Sequence, residues 1–252
     1  MKGLFKGLFK GLASAGFALT LCMSCLGGSD GVENPKLELR FEPGGGQAAT
    51  AGRVSLYAVD RDPALDSLPL LAKAFTGRDA VTFTPEELDS AIARGLRLRG
   101  RSPDSASDTL LEFNVVAVSG GLEAWVPGFR YQRLGRRSGF ARAEPGNPAD
   151  LGPFGKLSET HALPPAILDV RGRIGLTGKE LGIDYVFIPG SPYVSRVDSG
   201  QGLAFPRLPS GVYGLVGADR DSSLYFGAAD SLDTGDSTYV AKAWDAIIFV
   251  RP

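Results

Sequence analysis

Residues that carry most catalytic and metal chemistry are nearly missing from this chain. Among 252 residues there are 2 cysteines and 1 histidine. Both cysteines, Cys22 and Cys25, lie near the amino terminus. The rest of the chain therefore has no thiol for an internal disulfide, a nucleophile or a thiolate ligand. His161 falls in a stretch rich in Pro, Gly and Asn, residues 144–165. A flexible segment is a poor place to hold a general base within hydrogen-bond reach of a serine. One histidine without a cysteine is equally unpromising for zinc. A basic cluster is also missing: 27 Lys and Arg stand against 28 Asp and Glu, a formal charge of −1, which argues against a nucleic-acid partner.

What is present begins with an export signal. Lys2, Lys6 and Lys10 precede an apolar run from about Leu12 to Met23, the layout of a secretory leader. That run is shorter than the roughly 20 apolar residues a spanning helix needs. Cys22-Met23-Ser24-Cys25, followed by Leu26-Gly27-Gly28-Ser29-Asp30-Gly31, resembles the lipobox of bacterial lipoproteins, with Cys22 standing where that family carries Leu, Val or Ile. The resemblance implies cleavage after residue 24 and lipid on Cys25, and Leu26 in the next position implies the outer membrane. Each buried lipid methylene adds about 0.8 kcal/mol of membrane affinity. Loss of three lysines and no acids with the leader takes the formal charge from −1 to −4. Residues 25–35, with Gly, Ser, Asp and Asn before Pro35, read as a tether.

Beyond the tether the pattern is that of short strands. With 34 glycines and 17 prolines punctuating brief apolar runs, the expected class is mainly β, two Greek-key-type β-sandwich domains at 36–143 and 166–252 joined by a linker at 144–165. In the first domain, Leu37, Leu39 and Phe41 alternate, a turn follows at Gly44-Gly45-Gly46, and strands are expected at 53–59, 80–83, 109–118, 122–126 and 129–134. Gly120-Gly121 and Pro127-Gly128 are the expected turns between the last three. One helix is expected over 84–94: Thr84 and Glu87 form a capping box, Pro85 suits its first position and Gly95 its exit.

The second domain offers candidate strands at 168–174, 184–188, 193–197, 203–205, 212–218, 224–228 and 238–250. Its centre is Asp198-Ser199-Gly200-Gln201-Gly202, a turn in which both glycines accept positive φ, followed by Leu203, Phe205, Val212, Tyr213 and Leu215 at strand spacing. Tyr213 is expected in the core. Together with Gly172-Arg173-Ile174, Tyr185, Phe187 and Leu208-Pro209-Ser210-Gly211, this stretch is similar to carboxypeptidase regulatory-like domains. The resemblance implies a transthyretin-like sandwich without an active site. Val59-Asp60-Arg61-Asp62 and Ala218-Asp219-Arg220-Asp221 echo one another as strand-exit turns.

Few motifs compete with a structural reading. Gly175-Leu176-Thr177-Gly178-Lys179-Glu180 has some of a phosphate loop's residues but lacks its earlier glycine and its Ser or Thr, and reads as a β-turn. Asp60, Asp62 and Asp66, and separately Asp230, Asp233 and Asp236, are calcium candidates. Neither spacing matches a helix-loop-helix calcium loop, and solvated turns are the competing reading. Trp125, Phe129 and Tyr131, expected across a tight turn, are candidate sugar-stacking aromatics; filling a core is the competing reading. The expected role is a lipid-anchored, non-enzymatic structural, spacer or interaction module of the envelope. Envelope proteins or polysaccharide are its expected partners. The alternatives are a carbohydrate-binding lipoprotein and a small hydrolase with paired carboxylates in a pocket.

Overall fold

The computed structural model describes residues 34–43, 51–77, 79–98, 108–134, 137–143, 155–235, 239–241 and 243–247. The leader, Cys25, the Gly44-Gly45-Gly46 turn, Arg78, residues 144–154 of the expected linker, Asp236 and the last expected strand residues, 248–250, lie outside them. The chain divides into Met1–Val32 and Glu33–Pro252, and the described residues all belong to the second unit.

Strand-period alternation builds its first half. The elements are β1 (Leu37–Pro43), β2 (Ala51–Ala58), β3 (Leu71–Thr76), β4 (Val81–Phe83), α1 (Pro85–Leu98), β5 (Asp108–Ser119), β6 (Leu122–Leu134), β7 (Arg137–Arg142) and β8 (Leu157–Leu163). One sheet has the order β4-β1-β8 and the other β3-β2-β5-β6-β7. Leu37, Leu39 and Phe41 face Val54, Leu56, Phe113 and Val115 in a core between them. Leu88 of α1 joins that core. The capping box forms as expected, Thr84 N donating to Glu87 Oε2 at 2.9 Å and Glu87 N to Thr84 Oγ1 at 3.4 Å.

The structure corrects three expectations in this half. The helix continues through Gly95 to Leu98, and Gly95 does not take the left-handed conformation; a helical glycine costs about 1 kcal/mol against alanine without forcing an exit. Pro127-Gly128 is not a turn, because β6 runs through it. Gly128 takes φ +81° beside a register shift between Phe113 and Val115, and Asn114 Oδ1 accepts from Gly128 N at 3.0 Å where the ladder is interrupted. Leu157–Leu163 of the expected linker forms β8, parallel to β1, so His161 sits in a sheet. The edge strands β3 and β7 are additions to the expected set.

In the second half the elements are β9 (Ile167–Arg173), α2 (Gly175–Glu180), β10 (Tyr185–Phe187), β11 (Val194–Arg196), β12 (Gly202–Leu208), β13 (Val212–Tyr213), β14 (Val216–Ala218), β15 (Tyr225–Ala228), β16 (Leu232–Asp233), β17 (Tyr239–Val240) and β18 (Trp244–Ile247). They make sheets β11-β10-β14-β15-β18, β12-β9-β17 and β13-β16. The expected β-turn at Gly175–Glu180 is the short helix α2. Gly178 fits beneath Trp244, where a Cβ would lie 2.9 Å from the indole nitrogen, and that nitrogen donates to Ile174 O at 3.0 Å. In the 198–202 turn positive φ belongs to Gln201, at 65°, rather than to Gly200 or Gly202. Gly202 is required for space, since its Cβ would stand 2.6 Å from Asp198 Oδ2. Asp198 Oδ1 accepts from the Gly200 and Gly202 amides at 2.8 and 2.7 Å and so fixes the turn.

The chain is thus mainly β, with layered sheets and two helices among the described residues. Its halves are packed together. The far side of the β2-β5-β6 sheet, carrying Tyr57, Val116, Val118 and Trp125, joins the second core. Trp125 lies 4.8 Å from Tyr213, ring centre to ring centre. Polar groups pin the same junction: Asn114 Nδ2 donates to Pro189 O at 3.1 Å, and buried Glu123 accepts from Tyr193 Oη and Arg207 Nε.

Tyr213 is fully buried and its hydroxyl donates to Pro209 O at 2.7 Å. Tyr213→Phe should cost about 1 kcal/mol through that hydrogen bond, and Tyr213→Ser about 3–5 kcal/mol by emptying the space under Trp125. Urea unfolding monitored by tryptophan fluorescence measures both; equal, small losses would place the ring outside the core.

Candidate binding groove

The two echoing strand exits converge at one place. Asp62 follows β2 and is 6% exposed. Its Oδ1 accepts from Ala64 N at 2.8 Å, and its Oδ2 from Tyr185 Oη at 2.7 Å and Tyr225 Oη at 3.0 Å. Tyr185 also pairs with Ser222, on the turn that follows β14. Burial foremost, with the Asp62 carboxylate adding to it, pushes the Tyr185 phenol well above its ordinary value, so it stays protonated and donates. One carboxylate thereby ties the 62–66 turn of the first half to two strands of the second. Asp219, in the partner exit, accepts from the Ser223 and Leu224 amides at 2.6 and 3.0 Å and shapes its own turn.

Beside this clasp opens a groove of about 890 Å³. The 63–67 turn forms one wall, with Leu65 63% exposed; β11 forms another, with Val194 36% exposed. Arg196, from β11, and Arg220, from the exit after β14, both line it. Asp184 is its one lining carboxylate, 3.8 Å from Arg220 Nε, with side-chain exposures of 47% and 84%. An ion pair that long and that wet contributes little. Arg196 has no carboxylate partner among the described residues. A smaller cavity of about 160 Å³ lies against α1, where Arg61 Nη1 already donates to Asp66 Oδ2 at 3.0 Å.

None of the candidate site residues singled out from sequence lines this groove. Phe129 and Tyr131 are 1% and 0% exposed in the first core, and Trp125 packs on Tyr213 in the second. Neighbours on one strand, they point to opposite sides of the sheet and present no shared stacking face. Asp62 is consumed by tyrosines and Asp66 by Arg61. Asp60 is exposed. Asp230 and Asp233 are exposed as well, and Asp233 Oδ1 accepts from Gly235 N at 2.8 Å. Among the described residues no group of three or more His, Cys, Asp or Glu is placed to hold a metal ion. His161 Nε2 is 2.9 Å from Glu159 Oε2, close but off the hydrogen-bonding direction. Its ring centre is 5.9 Å from that of Phe41 and 6.4 Å from that of Phe129. Sequence pattern does not single out Leu65, Val194 or Arg196. Arg220 is visible in it only as half of the repeated Asp-Arg-Asp pattern.

No protein-family model matches the chain, and no curated protein matches it. Among solved structures, a candidate adhesin of Bacteroides ovatus is 9% identical, with 91% of this chain and 89% of that one covered and a TM-score of 0.23. A candidate polysaccharide-binding protein of Bacteroides thetaiotaomicron is 8% identical, with 76% and 78% covered and a TM-score of 0.21. The Bacillus anthracis TIE protein is 7% identical with a TM-score of 0.23 over 84% of this chain, which spans 34% of that protein's length. Scores of this size assign neither a topology nor a role.

Removal of the clasp should be costly. Asp62→Ala removes the acceptor that two buried tyrosine hydroxyls share, and a hydrogen bond to a charged group contributes about 1.5–3 kcal/mol. Urea unfolding should show a loss of about 2–4 kcal/mol; a loss under about 0.5 kcal/mol would show that the halves do not depend on it.

Burial holds His161 below the ordinary histidine range, against the raising effect of Glu159. The unfolded chain therefore binds a proton, from about pH 6.5 downward, that the folded chain refuses. Stability should fall as pH drops from about 7.5 to about 5.5, and His161→Phe should flatten that slope. Parallel slopes in chemical unfolding at several pH values would contradict the assignment.

Proposed function

We propose that this chain is a non-catalytic binding module of the bacterial envelope, anchored by lipid on Cys25 and using the groove beside Asp62 as its ligand seat. The groove carries the reading. Its walls come from both halves of the molecule and are fixed by a buried carboxylate. They keep Leu65 and Val194 open to solvent, and such exposed apolar positions in a concavity are what binding uses. A single lining carboxylate, Asp184, does not make the pair that carboxylate-dependent hydrolysis requires. A polysaccharide would have to use another surface than Trp125, Phe129 and Tyr131. The leader with its lipobox-like end, and Leu26 after Cys25, favour an outer-membrane anchor. The layered sheets of the second half are compatible with a carboxypeptidase regulatory-like, transthyretin-like module.

Two measurements test this. Metabolic labelling with an alkyne fatty acid should mark the wild-type chain and not Cys25→Ser. With the full chain in detergent micelles, binding to a mixed panel of peptides and glycans should weaken about tenfold or more in Leu65→Asp, the equivalent of about 1.4 kcal/mol. Leu168→Asp, an exposed position on β9 outside the groove, should leave it unchanged. Equal effects of the two variants would remove the groove from the function.

A further inference from the structure

Resting on the groove as ligand seat, we propose that its ligand is an acidic peptide segment, one carboxylate held between Arg196 and Arg220 and an adjacent aliphatic side chain laid on Leu65 and Val194. The exposed charges of the groove are mostly cationic, because the neighbouring Asp62 carboxylate is 6% exposed beneath the Tyr185 and Tyr225 hydroxyls. Overall the protein is formally −1, whereas the groove is lined by two arginines and one aspartate. Guanidinium groups present paired donors that match a carboxylate in two-point geometry. Both are available: Arg196 is exposed without a carboxylate partner among the described residues, and Arg220 is 84% exposed in a 3.8 Å contact with Asp184 that a better-placed carboxylate displaces at little cost.

The apolar half of the groove selects a peptide over a saccharide. Sugar recognition leans on an open aromatic face, and the aromatic residue in this lining, Tyr185, is 8% exposed with its hydroxyl engaged by Asp62 and Ser222. Leu65, Val194 and Val197 instead offer aliphatic surface suited to Leu, Ile or Val side chains. A volume of about 890 Å³ is at the upper end for small-ligand sites and accommodates a short extended segment. Asp184 sets the orientation, since a second ligand carboxylate placed against it is repelled while a lysine or free amide is accepted.

The test uses the full chain in detergent micelles against arrayed peptides that pair Asp or Glu with a neighbouring Leu, Ile or Val. The same peptides with Asn or Gln, a Lys series, and neutral and uronate-containing glycans complete the array. Acidic-aliphatic peptides should bind best, lose roughly tenfold or more on Asn or Gln replacement, and weaken as salt rises. Arg196→Glu with Arg220→Glu, both surface changes whose folding is checked by circular dichroism, should invert the preference toward the Lys series. Equal binding of Asn and Gln peptides, or preference for uronate glycans, with binding still lost in Leu65→Asp, would overturn the acidic-peptide assignment and leave the groove as the seat. Binding unaffected by Leu65→Asp and by both charge reversals would overturn the two together. No binding by any arrayed peptide would overturn the assignment.

Discussion

A sheet that is apolar on both sides cannot finish folding by building one core. The β2-β5-β6 sheet meets this condition: Val54, Leu56, Phe113 and Val115 belong to the first core, while Tyr57, Val116, Val118 and Trp125 belong to the second. Had the second half folded elsewhere, several large apolar side chains would face water, each costing about 1.5–3 kcal/mol. Hydrophobic burial therefore holds the halves together, and the groove exists because their exits are forced to meet.

Burial alone does not set the angle at which they meet. That is the work of polar groups which tolerate one geometry. Asn114 bridges Gly128 on its own sheet and Pro189 on the other half, and Gly190 beside it has no room for a Cβ. Glu123 holds Tyr193 and Arg207, and its own amide donates to Pro164 O at 2.8 Å in the connection between halves. Asp62 holds Tyr185 and Tyr225. Removing carboxylates from water is costly, and such groups stabilise only when every partner is in place. Removing one partner therefore costs more than the whole arrangement contributes.

Legibility from sequence follows locality. Alternation in β1 and the capping box of α1 depend on near neighbours and are readable, and the strand spacing of Tyr213 and Leu215 marks their buried side although Tyr213 packs on distant Trp125. The bulge at Pro127-Gly128 uses the same residue types as a turn, so only the Asn114 contact separates the two. Edge strands β3, β7 and β8 carry Lys, Arg, Ser, Glu and His, which blunts the alternation that would reveal them. The run Val115-Val116-Ala117-Val118 does hold the signal for burial on both faces, and that signal places Trp125 under a second layer. The groove is hidden because Leu65, Arg196 and Arg220 are far apart in the chain, and because a near-zero total charge masks local sign.

The repeated Asp-Arg-Asp exits then acquire a physical meaning. In the first, Asp62 is buried as an acceptor and Arg61 turns to Asp66. In the second, Asp219 is spent on its own turn amides while Arg220 stays exposed in the groove. The same three residue types thus yield a fastening in one place and a presented cation in the other. Depth decides between them: where tyrosine hydroxyls cover the carboxylate it links the halves, and where solvent reaches the guanidinium it stays exposed.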